Sequence, residues 1–211
     1  MSDRATVNKG ISRQQERAEL TRSRLIQSAE KIFARDGFEA AKLEEIAADA
    51  GYTRGAFYAH FDSKEDLFFA LLEREITSRI EKLDKQIDRQ PEPAAKLEIL
   101  RDFLLSTCLD RRWSLLALEF KLFAIRHPEV KTRLAAMNRR FIFSKASGLA
   151  GIFKALHRKL PASAHALALS LSTFTNSLTL EYLLDRSMMP DEDARKILKI
   201  FFDCVMGMPP E

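Results

Sequence analysis

The chain has 211 residues, 46% of them hydrophobic and 30% charged, enough apolar side chain to fill one large domain or two modest ones and too well mixed for a disordered tract. Seven glycines and seven prolines are few for a turn-rich sandwich or barrel. Two widely separated cysteines, Cys108 and Cys204, exclude a disulfide scaffold and a zinc site built on cysteine pairs. The formal net charge of +4 permits a nucleic-acid partner without demanding one, so that function has to be argued from local geometry.

At the start of the chain, 1–22 contains no apolar run, so no signal peptide is expected. With both cysteines read as reduced thiols, the expectation is a cytoplasmic, all-α protein. Residues 1–18 read as a flexible basic arm carrying Arg4, Lys9, Arg13 and Arg17. The charge is unevenly spread: 1–35 carries net +4 and 36–72 net −5. Apolar periodicity, proline and glycine punctuation then predict about nine helices: 13–36, 42–50, 54–61, 64–90, 94–109, 113–125, 128–156, 162–186 and 191–206. Gly37 and Gly51 each follow a helical pattern, where a left-handed residue ends a helix well. Pro128, Pro161 and Pro190 open later ones.

The second and third predicted helices are short, and about three residues with Gly51 separate them. Such spacing is that of a helix-turn-helix, in which a glycine turn sets one helix across another. Leu43, Ile46, Ala47 and Ala50 form the buried side of the first. Thr53 is the expected N-cap of the second, Tyr52 and Phe57 its hydrophobic staple, and Phe57 and Phe61 its anchors. The remaining residues are Arg54, Gly55, Ala56, Tyr58, Ala59 and His60. Small side chains there let the backbone approach a surface, and three donors with no acid suit a major groove about 12 Å wide. The next helix opens on a near capping box, Ser63 with Asp66, and continues as an apolar stripe of Phe69, Leu72, Ile76, Ile80, Leu83 and Ile87.

Gly37-Phe38, Glu45-Ile46-Ala47, Ala50-Gly51, Thr53-Arg54-Gly55-Ala56-Phe57-Tyr58, His60-Phe61 and Ser63-Lys64-Glu65-Asp66-Leu67 resemble the N-terminal signature of TetR/AcrR-family transcriptional regulators, without a gap over 21–72. The resemblance implies a helix-turn-helix DNA-binding domain over 19–71 and a larger helical ligand-binding and dimerisation domain over 72–211. It also implies a homodimer on a palindromic double-stranded operator, with release by a small-molecule effector. The matching positions Arg54, Gly55, Ala56, Tyr58 and His60 would lie at the groove after the Thr53 cap, and Lys64 at a phosphate. Lys42, at the start of the preceding helix, is placed for another phosphate contact. Two departures stand out. Ala41-Lys42 stands where the family has a Thr or Ser cap, and Tyr52 adds a hydroxyl that needs a partner.

Beyond 72 the helices are rich in aromatics. Phe103, Trp113, Phe120, Phe123, Phe141, Phe143, Phe153, Phe174 and Tyr182 could line an apolar pocket, and among them Trp113, Phe120, Phe123, Phe141 and Phe174 are the candidate contacts for a small apolar or amphipathic molecule. Glu119 and Asn176 are polar residues on otherwise apolar stretches. Gly148 and Gly151, inside one predicted helix, suggest a close helix approach or a kink beside that pocket. The last two helices carry the stripes Leu167, Leu171, Phe174, Leu178 and Ile197, Phe201, Val205, which pair as a four-helix bundle about a twofold axis. Residues 160–180 lack Asp, Glu, Lys and Arg, yet hold eight Ser, Thr and Asn residues, so no membrane span is expected. No phosphate loop, metal helix or nucleophile elbow occurs, and four scattered histidines have no ligand spacing. The expectation is a non-enzymatic repressor without metal or cofactor. An activator of the same family and a helical ligand-binding protein without DNA binding are the alternatives.

Overall fold

A computed structural model describes residues 13–208, which form nine helices and no strand. Residues 1–12, with Arg4 and Lys9 of the expected arm, and 209–211 lie outside the described residues. The helices are α1 (Arg13–Ala40), α2 (Leu43–Asp49), α3 (Arg54–Tyr58), α4 (Lys64–Arg89), α5 (Pro93–Leu109), α6 (Arg111–Arg126), α7 (Pro128–Ala155), α8 (Ala164–Leu184) and α9 (Asp191–Met206). Arg13 and Arg17, assigned to a flexible arm, are helical from the first turn of α1. The chain divides into two compact units between Glu75 and Ile76, inside α4.

In the first unit, α1 breaks at Gly37, whose φ of 80° and ψ of 169° no helix accommodates. The break swings Phe38 inward. Its ring meets Phe33 and Phe68 with centroids 5.6 and 5.0 Å away. Gly51 (φ 80°) ends α2 in the same way. The α2 helix is two turns long, too short to persist alone, and is held by burial of Ile46 and Ala47 and by Ser28 Oγ of α1, which donates to the Ile46 carbonyl at 2.9 Å. The expected stripe at the start of α4 is wider in the structure, because all six residues from Leu67 to Leu72 are buried. Neighbours surround this part of the helix on all sides, so its pattern carries no single period.

In the second unit the core gathers Leu97, Leu104, Cys108, Leu149, Phe153 and Leu171 with Leu198, Phe202 and Met206. Caps fall where the sequence offers them. Asp110 accepts from the Trp113 amide to start α6, Ser163 from Ala166 to start α8, and Gly207 (φ 62°) ends α9. Neither expectation of a close helix approach at Gly148 or Gly151 is met, since a Cβ at either position would touch nothing within 4 Å. Among the described residues, no helix is long and apolar enough to cross a membrane.

Candidate nucleic-acid interface

Thr53 sets the geometry of α3. Its backbone is extended (φ −85°, ψ 163°), and its hydroxyl accepts from the Ala56 amide at 3.2 Å, satisfying a donor that the helix start leaves free. The helix is shorter than the predicted 54–61 and ends at Tyr58. The Phe57 carbonyl there accepts from both His60 and Phe61, which tightens the chain into a turn, so His60 follows the helix instead of lying on it. Phe57 and Phe61 are buried, with ring centroids 5.7 Å apart. Their burial fixes which side of α3 faces away from the core. Arg54 and Gly55 are exposed there, Tyr58 retains 45% of its surface, and Ala56 is half-buried.

The exposed groups are ordered. Arg54 lies over the Tyr58 ring at 5.6 Å and donates to its hydroxyl at 3.3 Å. A second guanidinium nitrogen meets Glu44 of α2 at 2.7 Å. The Tyr58 hydrogen bond, with the nearby Glu44 carboxylate adding to it, pushes the Arg54 pKa above its ordinary value. Glu44 was not foreseen from the sequence, where nothing marks it apart from the other acids of the segment. The Tyr52 hydroxyl does find a partner: Thr21 of α1 donates to it at 3.2 Å.

The two lysines differ. Lys42 occupies the N-cap position of α2 with no side-chain cap bond, as its sequence suggests, and is exposed. Lys64 is half-buried: its ammonium donates to the carbonyls of Glu39 and Ala41 at 2.8 and 3.2 Å and lies 4.8 Å from the Phe38 ring centroid. Burial pushes its pKa below the usual lysine range. Two of its three donors therefore close the carbonyls left after the Gly37 break, a structural duty that the sequence did not disclose.

In the second unit, a cavity of about 260 Å³ opens among α4, α5, α7 and α8. Aliphatic groups such as Ile80, Leu83, Ile87, Leu100 and Ile152 form its walls, together with Phe103. None of the five aromatics expected as ligand contacts lines it. Phe120 is buried beside Phe123, which stacks on His127. Phe174 stacks on Phe201 at 3.7 Å, Trp113 lies under the Arg79 guanidinium, and Phe141 is half-buried. Gly148 does line the cavity. Of the expected interface stripes, Leu167, Leu171 and Leu178 are buried in the core of their own unit, while Phe174, Phe201 and Val205 pack partly against it. Ile197 is exposed, and the outward rows are instead Leu169, Leu180 and Leu184 of α8 with Ile197 and Ile200 of α9. A one-sided stripe does not say which side is inside when both sides carry leucine.

Residues 25–71 match the family profile described as bacterial regulatory proteins, tetR family. The chain is 43% identical over 63 residues to the transcriptional regulator TtgR of Pseudomonas putida, covering 30% of each protein. With the regulator AcrR of Shigella flexneri it is 36% identical over 103 residues, 47% of each. The chain thus spans between about a quarter and a half of the length of the curated relatives it matches. In fold it is similar to the crystal structure of the transcriptional regulator FadR of Bacillus subtilis in complex with stearoyl-CoA, with a TM-score of 0.69 and 15% identity, covering 89% of this chain and 99% of that one. The capped α3 carried on α2 and the glycine breaks at 37 and 51 lie within the stretch 25–71 that matches the tetR-family profile of bacterial regulatory proteins, so this segment of the chain is similar to the corresponding part of those regulators.

Proposed function

We propose that this protein is a ligand-responsive repressor that binds a palindromic operator as a homodimer and leaves it when a small apolar or amphipathic molecule enters the 76–208 unit. The observation that carries the reading is the outward side of α3. It combines a side-chain cap at Thr53, small residues at Gly55 and Ala56, and the ordered donors Arg54 and Tyr58, with no acid on the helix itself. Arg54, Tyr58 and His60 read base edges, Gly55 and Ala56 let the backbone approach, and Lys42 neutralises a phosphate. Lys64 uses its remaining donor for a second phosphate.

A dimer supplies the second half-site, about one helical turn or roughly 34 Å along the duplex. The exposed Leu169, Leu180 and Leu184 of α8 and Ile197 and Ile200 of α9 offer apolar surface for it. For the switch, α4 is one continuous helix from Lys64 to Arg89. Its first turns fill the core of the reader, and its later turns, at Ile80, Leu83 and Ile87, line the cavity. A ligand that displaces the later turns would act on Lys64 through this continuous helix. Tenfold release requires only about 1.4 kcal/mol of coupling. The stearoyl-CoA complex of the FadR neighbour supports ligand occupancy of this fold without naming the ligand of this chain.

Selection of bound sequences from random duplex tests the reading. It is expected to enrich a palindrome, and Tyr58→Ala is expected to lose that preference while circular dichroism stays unchanged. Lys42→Ala is expected to weaken all duplexes alike and reduce the salt slope by about 0.9. No enriched sequence at low salt would refute the assignment. Light scattering at micromolar concentration is expected to give twice the chain mass, falling to a monomer in Ile200→Glu.

A further inference from the structure

Two ammonium groups from different helices converge on one stripe of α8. Lys145 of α7 donates to Ser172 Oγ at 3.2 Å, and Lys121 of α6 donates to Asn176 Oδ1 at 3.0 Å, one turn along α8. Both acceptors are neutral. Neither ammonium is paired with a carboxylate among the described residues. Each ammonium has three donors and uses one in these bonds. Burial pushes both pKa values below the ordinary lysine range, and the charge of Lys121 pushes Lys145 further down. Lys145 is exposed and Lys121 half-buried, and two like charges held this close with donors to spare are eased when an anion joins them.

The cavity gives that anion a place. Lys145 and Ser172 both line it, on the side opposed by aliphatic residues from α4 and α5. Asp84 and Asp88 also line it, exposed on α4 as Lys145 is on α7, so the lysine pair with its neutral partners and the two carboxylates are rival head-group contacts that the probes below separate. The volume of about 260 Å³ is at the small end for ligand pockets, and so fits a medium-length chain or a single substituted ring. We infer that Lys145, with Ser172 beside it and Lys121 adding a second charge, reads the anionic head group of an amphipathic effector, a carboxylate or a phosphate ester, whose short apolar body fills the cavity. The inference rests on the ligand-responsive reading above and adds the chemical class of the effector.

Calorimetric titration of the full chain with four probes of one tail length tests it: octanoate, octyl phosphate, octanol and octylamine. The wild type is expected to bind one or both anions at least tenfold more tightly than octanol, since charge-assisted hydrogen bonds are about twice as strong as neutral ones. Lys145→Met is expected to remove that advantage and leave octanol binding unchanged. Lys145→Gln gives the same comparison should the methionine variant fail to fold. Octanol binding as well as the anions, or anion binding unaffected in both variants, overturns the head-group assignment and leaves a ligand-responsive regulator standing. Preference for octylamine overturns it in favour of Asp84 and Asp88. If none of the four binds, the cavity is not the effector site, and the head-group assignment and the cavity-driven switch fall together.

Discussion

The two units use their aromatic side chains differently. In the first, Phe33, Phe38 and Phe68 close on one another with centroids 5.0 to 5.6 Å apart, and Phe57 and Phe61 are buried against each other at and just after α3. In the second, aromatics pair off at separate places, Phe120 with Phe123 and Phe174 with Phe201, and aliphatic chains are left to surround a cavity. In the first unit the long helices α1 and α4 supply the ring cluster, and the short α2 and α3, of seven and five residues, cannot persist alone and are held by burial of Ile46, Ala47 and Phe57. Helices of 16 to 28 residues, such as α7 and α9, have surface to spare, and their packing can leave a gap without loss of the fold. The closely packed first unit and the cavity-bearing second unit thus rest on opposite uses of the same residue types.

The largest test of that contrast is Phe68→Ala. The side chain is fully buried and contacts two other rings, so truncation should cost about 3–5 kcal/mol by denaturant unfolding. A loss below about 1 kcal/mol would show that the first unit relaxes as readily as the second. Next in size is Thr53→Ala, which removes the α3 cap bond and should cost about 1 kcal/mol. Operator affinity should fall with it, measured beside a Thr53→Ser control that retains the cap. The smallest effect has the opposite sign. Gly148→Ala and Gly151→Ala place a Cβ where nothing lies within 4 Å, and each should raise stability by roughly 0.5–1 kcal/mol through helix propensity. Only Gly148 lines the cavity, so only Gly148→Ala should also weaken effector binding. Equal ligand affinity in the two variants would place the guest elsewhere.

Much of the first unit was legible in the residues. Gly37, Gly51, Thr53 and the Ser63–Asp66 pair act through their own backbones and immediate neighbours, and each does in the structure what its type and position announce. The end of α3 was not legible, because a tight turn at Phe57 and a continuing helix make the same demand on Ala59 and His60. The role of Lys64 was hidden for another reason: its acceptors, the carbonyls of Glu39 and Ala41, lie more than 20 positions away. The Glu44 contact of Arg54 was hidden although the two lie only ten positions apart, because it depends on how α3 crosses α2.

In the second unit, helix count and bounds came from proline punctuation and caps, and α9 starts and ends at the predicted residues. Which side of each helix faces inward did not. In α8, Leu167, Leu171 and Leu178 face the core and Leu169, Leu180 and Leu184 face outward, yet all are leucines at helical spacing. The sequence by itself therefore determined the helices, their breaks, the short α2–α3 pair and the resemblance of 25–71 to the tetR-family profile, since those depend on backbone conformation and nearest neighbours. Only the tertiary structure decided the cavity, the outward rows and the convergence of Lys121 and Lys145 on Ser172 and Asn176, because each depends on how helices distant in sequence rotate about their axes to fill space.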